Sequence, residues 1–405
     1  IFETLLIIEE PQQMILKLIP FESVKPHLKN LQVTGFYQID PNASQTKRYY
    51  HKIYMMISLL VVLLYTGQEI MKIYEVNDIN KVIDTMFLML TYSGCIYKQA
   101  VLWKEQDKIE GLLNILKGPL FNQNEPDHRV LLLQRAHQAR LLLRAFNLTA
   151  LSTCVLWVLY PTILYAQRKP VEFAIWLPFD PNTSPQIYFA LGYTWVQTSW
   201  LAYGNTSIDA FISSFFAQCK TQLSILRFDL ENIVQKCYSE SIFTSASYTD
   251  NFHRRFRKLL LHHNEIVQLC NQTQRIFGGV ILYLFLVSGW IICTSAYRTI
   301  NINPISVEFS SMILYIMCIL TEVFLYCYYG NEVAYESHKL MESAFAMDWC
   351  EIPIKQRIPL IIFMERIKRP IVPMAGRIIP LSNTTFVSIL RSSYTFYAFL
   401  KNTNE

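Results

Sequence analysis

Long stretches with few or no charged residues alternate with charged ones along the 405-residue chain. Seven of these stretches are apolar over about 20 residues, the length that an α-helix needs to cross the hydrocarbon core of a bilayer. They cover roughly residues 53–72, 83–103, 145–167, 186–219, 276–297, 309–330 and 380–400. The pattern predicts an all-α integral membrane protein with seven transmembrane helices.

Composition supports a membrane protein rather than a pair of soluble domains. Hydrophobic residues make up 52% of the chain and charged residues only 17%, against about 25% charged residues in soluble domains. The net charge of +5 is spread over short basic groups. We therefore expect a lipid bilayer around the protein and no binding of nucleic acid.

The fourth apolar stretch is longer than a bilayer requires. A helix over residues 186–219 would be about 50 Å long, against a hydrocarbon core of about 30 Å. The charged segments 220–275 and 331–379 carry apolar residues at helical spacing, as in "SILRFDLENIVQKC" and "LIIFMERIKR". We expect these segments to form helical extensions that pack together outside the membrane.

The basic residues predict an orientation. Twenty-seven Lys and Arg residues lie on the side of the N-terminus and six on the opposite side. Because positive charge marks the cytoplasmic face, the N-terminus is expected inside and, after seven crossings, the C-terminus outside. The chain then divides into a cytoplasmic segment (1–52), six helices with their extensions (53–330), a cytoplasmic anchor region (331–379), and the seventh helix with an extracellular tail (380–405).

No enzyme signature is present. The chain lacks Cys-x-x-Cys, His-Glu-x-x-His, Gly-x-Ser-x-Gly and phosphate-loop motifs. The His262-His263 pair is typical of packed or solvated histidines as well as of metal ligands. We expect no catalytic site, no metal site and no cofactor.

The outer halves of the second, third, fourth and sixth helices are rich in aromatic, Met and small polar side chains. If they converge, they form a small apolar pocket suited to a volatile organic molecule held by shape and dispersion. Ordinary helix packing with interfacial aromatic residues is the alternative. The candidate ligand-binding residues are Met86, Phe87, Leu90, Cys154, Trp157, Tyr160, Phe189, Tyr193, Met312 and Tyr315.

Charged residues are rare inside the predicted helices. Asp209 and Glu322 are expected near the cytoplasmic ends of their helices, in structural roles, and Lys98 is long enough to reach solvent on the same side. The seventh helix instead carries a polar or small stripe at a spacing of three to four residues. This stripe either packs inside its own bundle or, with several copies around an axis, lines a pore; it consists of Thr384, Ser388, Arg391, Thr395 and Ala398.

Three short segments resemble the insect odorant receptor family. "GNEVAYESHKLMESAFAMDWCEIP" (330–353) is similar to the family's stretch after helix six, and "RSSYTFYAFLK" (391–401) to its closing Ser-Tyr-x-x-Phe-x-x-Leu motif. "WLPFDPNTS" (176–184) is similar to the segment before helix four. The loop at about 220–275 is short compared with that of the family's shared co-receptor, so the chain resembles a ligand-tuning subunit.

The resemblance implies an odorant-gated, non-selective cation channel in the plasma membrane of a sensory neuron. Four subunits, including the co-receptor, would surround one pore lined by their seventh helices, with a gate near Ala398. The odorant would bind among helices two, three, four and six.

Three other functions stay open at this point. A metabotropic seven-helix receptor would have its N-terminus outside, and a gustatory-type channel would close on a Gln-Phe pair that this chain lacks. A transporter would show internal repeats and broken Gly- or Pro-rich helix pairs, and none is visible.

Overall fold

The computed structural model describes residues 18–39, 43–75, 79–123, 125–181, 183–243, 247–300 and 302–404. Nearly all of this is α-helix. In chain order the helices are α1 (Ile19–Val33), α2 (Gln45–Glu75), α3 (Ile79–Lys104), α4 (Gln106–Lys117), α5 (Pro126–Ala166), α6 (Gln186–Glu231), α7 (Ile233–Phe243), α8 (Tyr248–Ile300), α9 (Val307–Phe345), α10 (Ile354–Ile367) and α11 (Asn383–Asn404).

Each of the seven predicted membrane spans corresponds to one helix, namely α2, α3, α5, α6, α8, α9 and α11, although α5 ends one residue before the predicted bound and α11 begins three residues after it. Four of the helices in the described ranges, α2, α5, α8 and α9, are long and apolar enough to cross a bilayer by composition alone. The other three each carry a distinct polar or packing feature. Helix α6 is buried inside the bundle along its inner half, α3 holds a buried lysine, and α11 carries the polar stripe.

Two helices, α5 and α9, begin at residues that favour a helix N-terminus. Pro126 opens α5, at a position where the missing backbone N–H costs no hydrogen bond. The Ser306 side chain caps α9 by accepting a hydrogen bond of 3.0 Å from the backbone N–H of Phe309. Such caps fix where a helix begins and therefore which residues reach a given depth of the bundle.

Helix α6 forms the axis of the molecule. Its 46 residues span about 70 Å, so it runs well beyond a bilayer, as predicted. It packs most extensively against α5 and α9. Three phenylalanines in its middle, Phe211, Phe215 and Phe216, are fully buried in the main hydrophobic core.

The extensions of α5, α6, α8 and α9 form an inner bundle together with α1, α4, α7 and α10. Residues 224–237 and 360–369, predicted as helical extensions from their spacing, lie almost entirely in helices and contribute buried side chains. The prediction that these charged segments fold and pack is confirmed.

A short hairpin leads into α11. Strands β1 (Met374–Ala375) and β2 (Ile379–Pro380) pair antiparallel. The turn holds Gly376 at φ +57°, and its N–H donates a 2.7 Å hydrogen bond to the Gly278 carbonyl of α8. Just after the hairpin, Leu381 lies against α9 where Gly330 leaves room, because a Cβ at Gly330 would lie 2.2 Å from that of Leu381.

Helix α11 packs on α8 and α9 along one side only. The Phe396 ring stacks on Trp290 of α8, and the Phe386 ring meets Phe324 of α9 edge to face. The other side of α11 is uncovered in the single chain.

Candidate ligand cavity and the buried ion cluster

Two adjoining cavities lie between α3, α5, α6 and α9, the helices for which a pocket was predicted. The outer cavity has a volume of about 160 Å³ and the inner one about 70 Å³. Leu88, Trp157 and Thr198 line both. An apolar protein cavity of about 150 Å³ accommodates benzene, so the outer cavity alone is large enough for a single aromatic ring.

Three of the predicted residues form an aromatic cluster at the wall of these cavities. The ring centroids of Phe87 and Tyr315 lie 5.2 Å apart, those of Trp157 and Tyr315 5.4 Å, and those of Phe87 and Trp157 6.4 Å. These are the separations of edge-to-face and tilted aromatic pairs. The cluster packs against buried Met312.

Predicted residues occupy different places around the cavities. Tyr160 and Met312 line the outer cavity with Phe87, and Cys154 and Tyr315 line the inner one. Leu90 packs against the aromatic cluster from behind.

Three further candidates lie outside both linings in the described part of the chain. Met86 is half-buried on α3. Phe189 is largely exposed and stacks on Tyr193, whose hydroxyl donates a 2.8 Å hydrogen bond to the Gln68 side chain of α2. Helix α6 thus turns the Tyr193 ring toward α2, away from the cavities.

The segment before α6 closes the outer cavity. Val171 and Ile175 are buried and line it, together with Phe173. The backbone N–H of Trp176 donates a 3.1 Å hydrogen bond to the Gln68 carbonyl, which ties the segment to α2. Sequence reasoning missed these residues because a loop has no periodicity that shows which side faces inward.

Most polar groups of the inner cavity are already satisfied. The Tyr315 and Thr91 hydroxyls hydrogen-bond at 2.7 Å, and Thr91 donates to the Phe87 carbonyl at 2.9 Å. Thr206 donates to the Asn147 side chain at 2.6 Å. A ligand there meets mainly apolar surface and hydroxyls that already have partners, apart from the Tyr92 hydroxyl, which has none among the described residues.

A buried ion cluster lies below the inner cavity. The Lys98 ammonium of α3 contacts Asp209 of α6 at 2.7 Å and also contacts Glu322 of α9. It donates to the Asn205 side chain at 3.0 Å, and the Tyr326 hydroxyl donates to Asp209 at 2.7 Å. Glu322 and Asn205 line the inner cavity, so the cluster forms its floor.

This cluster corrects one expectation. Lys98 is only 3% exposed and does not reach solvent; it joins three helices through two carboxylates. An unpaired charge inside a protein is costly, so the three groups converge. The signal in the sequence was one basic and two acidic residues, each within a predominantly apolar span; Asp209 and Glu322 are the single charges of their spans, and the span of Lys98 also holds Asp84 at its start.

The inner bundle holds a second polar cluster, made of Glu125, His128, Asp229 and Lys236. Ligand atoms of the first three lie within 4.8 Å of one another, as in metal sites. The Lys236 ammonium already contacts both carboxylates, at 2.7 Å for Asp229. Burial tends to raise the pKa of Asp229, but the hydrogen bonds from His128 and Lys236 outweigh it and lower that pKa. The arrangement is that of a self-contained ion-pair network.

Helix α11 presents most of its predicted stripe on the uncovered side. Thr384, Ser388, Arg391 and Thr395 are exposed in the single chain, and Ala398 is half-buried. The alternative of a polar seam inside the monomer would bury these side chains. Among the α11 side chains whose burial the structure describes, the buried polar one is instead Ser393, outside the stripe.

Comparison with known proteins identifies a family and several relatives to which this chain is similar. The family model described as "7tm Odorant receptor" matches residues 78–394. Odorant receptor Or1 of Anopheles gambiae is 21% identical over 390 residues, covering 92% of this chain and 93% of that protein. Odorant receptor 94a of Drosophila melanogaster is 25% identical over 245 residues, which is 60% of this chain and 61% of that protein.

Solved structures show the same fold. The insect olfactory receptor OR5 from Machilis hrabei superposes with a TM-score of 0.77 at 16% identity, over 93% of this chain and 97% of that one. Its complex with eugenol also gives a TM-score of 0.77, over 94% and 97%. The chain is therefore a multi-pass membrane protein that belongs to the insect odorant receptor family.

Proposed function

We propose that the protein is a ligand-tuning subunit of an odorant-gated, non-selective cation channel. A small volatile organic molecule binds in the two cavities between α3, α5, α6 and α9, and its binding opens a pore lined by α11. The observation that carries the proposal is the combination of an apolar cavity with a spanning helix whose uncovered face is polar.

The ligand site is centred on the aromatic cluster. Phe87, Trp157 and Tyr315 offer ring faces and edges, and Met312 adds an adaptable apolar surface. The related receptor solved with eugenol holds a single-ring compound. A ring of that size is compatible with the 160 Å³ outer cavity.

The pore is assigned to α11 by its exposed polar stripe. The Ser388 and Thr395 hydroxyls donate to backbone carbonyls of α11 itself, but lipid cannot satisfy the Arg391 guanidinium, so the uncovered face is proposed to meet water or other subunits. One such helix cannot enclose a channel, whereas four copies around an axis can. In line with the family, we propose a heterotetramer with the co-receptor.

Arg391 gives this assembly a specific requirement. Its side chain is exposed and makes no ion pair within the described ranges. A fixed positive charge facing a cation pathway opposes conduction unless a neighbouring group offsets it. We propose that an acidic or carbonyl group of the adjacent subunit pairs with Arg391, while Thr395 and Ala398 face the conduction path.

The proposal includes an orientation of the chain in the membrane. The N-terminal segment and the anchor region 331–379 lie in the cytoplasm, as the distribution of Lys and Arg indicates. The cavities then open toward the outside, where odorants arrive, and the inner bundle lies in the cytoplasm.

Current recording in excised inside-out patches tests the proposal. Cells express the chain with and without the co-receptor, and odorants are applied while the cytoplasmic face is bathed without GTP. We expect odorant-evoked cation currents in the absence of nucleotide, and larger ones with the co-receptor. Currents that require GTP, or an epitope tag at the N-terminus that antibodies reach on intact cells, would favour a metabotropic receptor instead.

A further inference from the structure

A buried carboxyl beside the outer cavity has no partner. Glu69 on α2 is fully buried, and neither of its carboxyl oxygens makes a hydrogen bond to any residue in the part of the chain that the structure describes. Buried polar groups are nearly always hydrogen-bonded, because leaving one unsatisfied costs free energy. The exception calls for a partner from outside the described part of the chain.

Glu69 lines neither cavity itself but lies beside a residue that lines the outer one. It is one helical turn from Tyr65 on the buried face of α2. Tyr65 lines the outer cavity and stacks on Tyr92, which lines the inner one, with ring centroids 4.7 Å apart. The Glu69 carboxyl is within electrostatic range of both hydroxyls.

A second polar atom on this side of the outer cavity is also unsatisfied. Thr194 of α6 lines the cavity, and its buried hydroxyl has no hydrogen-bond partner in the described ranges. The adjacent residue, Tyr193, is bound to Gln68, the neighbour of Glu69. Helices α2 and α6 are therefore held together where the two unsatisfied groups occur.

Another part of the outer cavity lining differs. There Arg298 of α8 and Glu308 of α9 line the cavity and form a salt bridge of 3.0 Å. Their charges are matched without a ligand. A polar group on a ligand gains more by reaching the unsatisfied groups on α2 and α6 than by competing with this salt bridge.

We propose that Glu69, supported by Thr194, is the polar anchor of the ligand site and selects single-ring ligands that carry a hydroxyl group. This inference rests on the proposed ligand cavity. A hydroxyl both donates and accepts, so it satisfies a buried carboxyl and a threonine hydroxyl together. The ring lies against Phe87 and Trp157 in the outer cavity, and any short apolar substituent extends past Trp157 into the inner one.

Binding to the purified full-length receptor tests the proposal. Benzyl alcohol and benzyl methyl ether share a ring, but only the alcohol donates a hydrogen bond. We expect the ligand-dependent rise in melting temperature to be half-maximal for the alcohol at a concentration about tenfold lower than for the ether. Equal concentrations for the two, or no stabilisation by benzyl alcohol, would overturn the proposal. Tighter binding of benzylamine would overturn the assignment to hydroxyl compounds.

Two variants separate the two carboxyls. Glu69→Leu should remove the preference for the alcohol, and Glu308→Leu, the same substitution at the salt-bridged carboxyl, should retain it. A preference that survives Glu69→Leu would contradict the proposal. The unliganded Glu69→Leu protein should melt no lower than the wild type, because it no longer buries an unsatisfied carboxyl; a lower melting temperature would show that Glu69 has a structural partner.

The experiments distinguish a failure of the Glu69 anchor from a failure of the channel proposal. If the alcohol preference and its loss in Glu69→Leu are observed while odorants evoke no current, the channel assignment fails and the anchor stands. If currents are evoked but no preference depends on Glu69, the anchor fails and the channel stands.

Discussion

The outer half of the helix bundle and the inner bundle both contain hollows, but of opposite chemistry. The outer cavities are walled by aromatic and aliphatic side chains such as Trp157 and Leu88. The inner bundle has a 390 Å³ cleft lined largely by charged and polar groups, among them Lys236, Glu240 and Arg255. The first suits an apolar guest, and the second suits water.

Between these regions lies the densely packed middle of α6, with the ion cluster of Lys98 at its outer edge. The difference indicates a division of roles. A region with apolar space can adapt to a ligand, whereas a region tied by buried ion pairs and close packing holds its helices in fixed relation. Substitutions should therefore have different effects in the two regions.

The largest effect is expected at Lys98. Replacing it with Leu leaves Asp209 and Glu322 buried without a cation, and the free energy of unfolding should fall by about 3–5 kcal/mol. Thermal melting of the purified receptor and its surface expression measure the loss. The triple variant that adds Asp209→Asn and Glu322→Gln should recover most of it. A single variant that melts like the wild type would show that the cluster does not hold the helices together.

The next largest effect is expected at low pH, which should lower the free energy of unfolding through the inner bundle. Burial lowers the pKa of His27 and His263 to about 4 and that of His262 to about 3, against about 6.5 in an unfolded chain. Their contribution to stability is present above pH 6.5 and is lost as the pH falls toward 4, because only the unfolded chain takes up protons in that window. Between pH 7 and pH 5 each should cost about 2 kcal/mol.

Melting curves at the two pH values check this expectation. His27→Gln and His262→Gln should each reduce the difference between pH 7 and pH 5. If the wild type is equally stable at both values, the buried histidines are not neutral in the fold.

The same substitution, Ala→Val, can be made in both regions to compare how much free space each contains. Ala150 on α5 lines the inner cavity, whereas Ala217 on α6 is fully buried in the packed core. Ala217→Val should destabilise the protein by about 1–3 kcal/mol through overpacking. Ala150→Val should cost less, because its added methyl groups enter existing space. Equal losses in melting temperature would mean that the cavity is not available space.

Much of this architecture could be predicted from the sequence. Periodicity and charge located all seven long helices, because a bilayer demands long uncharged runs. The pairing of helices around the pocket was also predictable, since aromatic residues are concentrated in their outer halves. Phe87, Trp157 and Tyr315, widely separated in sequence, meet in one cluster.

The remaining features depend on how the helices rotate and on loop paths, which single-helix patterns do not encode. Glu69 was not singled out, because a carboxylate near the end of an apolar stretch looks like a solvated residue until its burial is known. The convergence of Lys98, Asp209 and Glu322 required three helix rotations at once. The segment at Val171–Ile175 closes the cavity through contacts that no spacing rule describes.

The proposed ligand site and the proposed conduction path are separate parts of one chain. Odorant dose-response curves and reversal potentials, recorded in the same patches for Trp157→Ala and Thr395→Glu, test this separation most directly. Loss of the Trp157 ring should raise the odorant concentration for half-maximal current about tenfold or more and leave the reversal potential unchanged. The carboxylate added at Thr395 should shift the reversal potential by changing cation selectivity, with little change in odorant sensitivity. A changed reversal potential in Trp157→Ala, or an unchanged one in Thr395→Glu, would contradict the account.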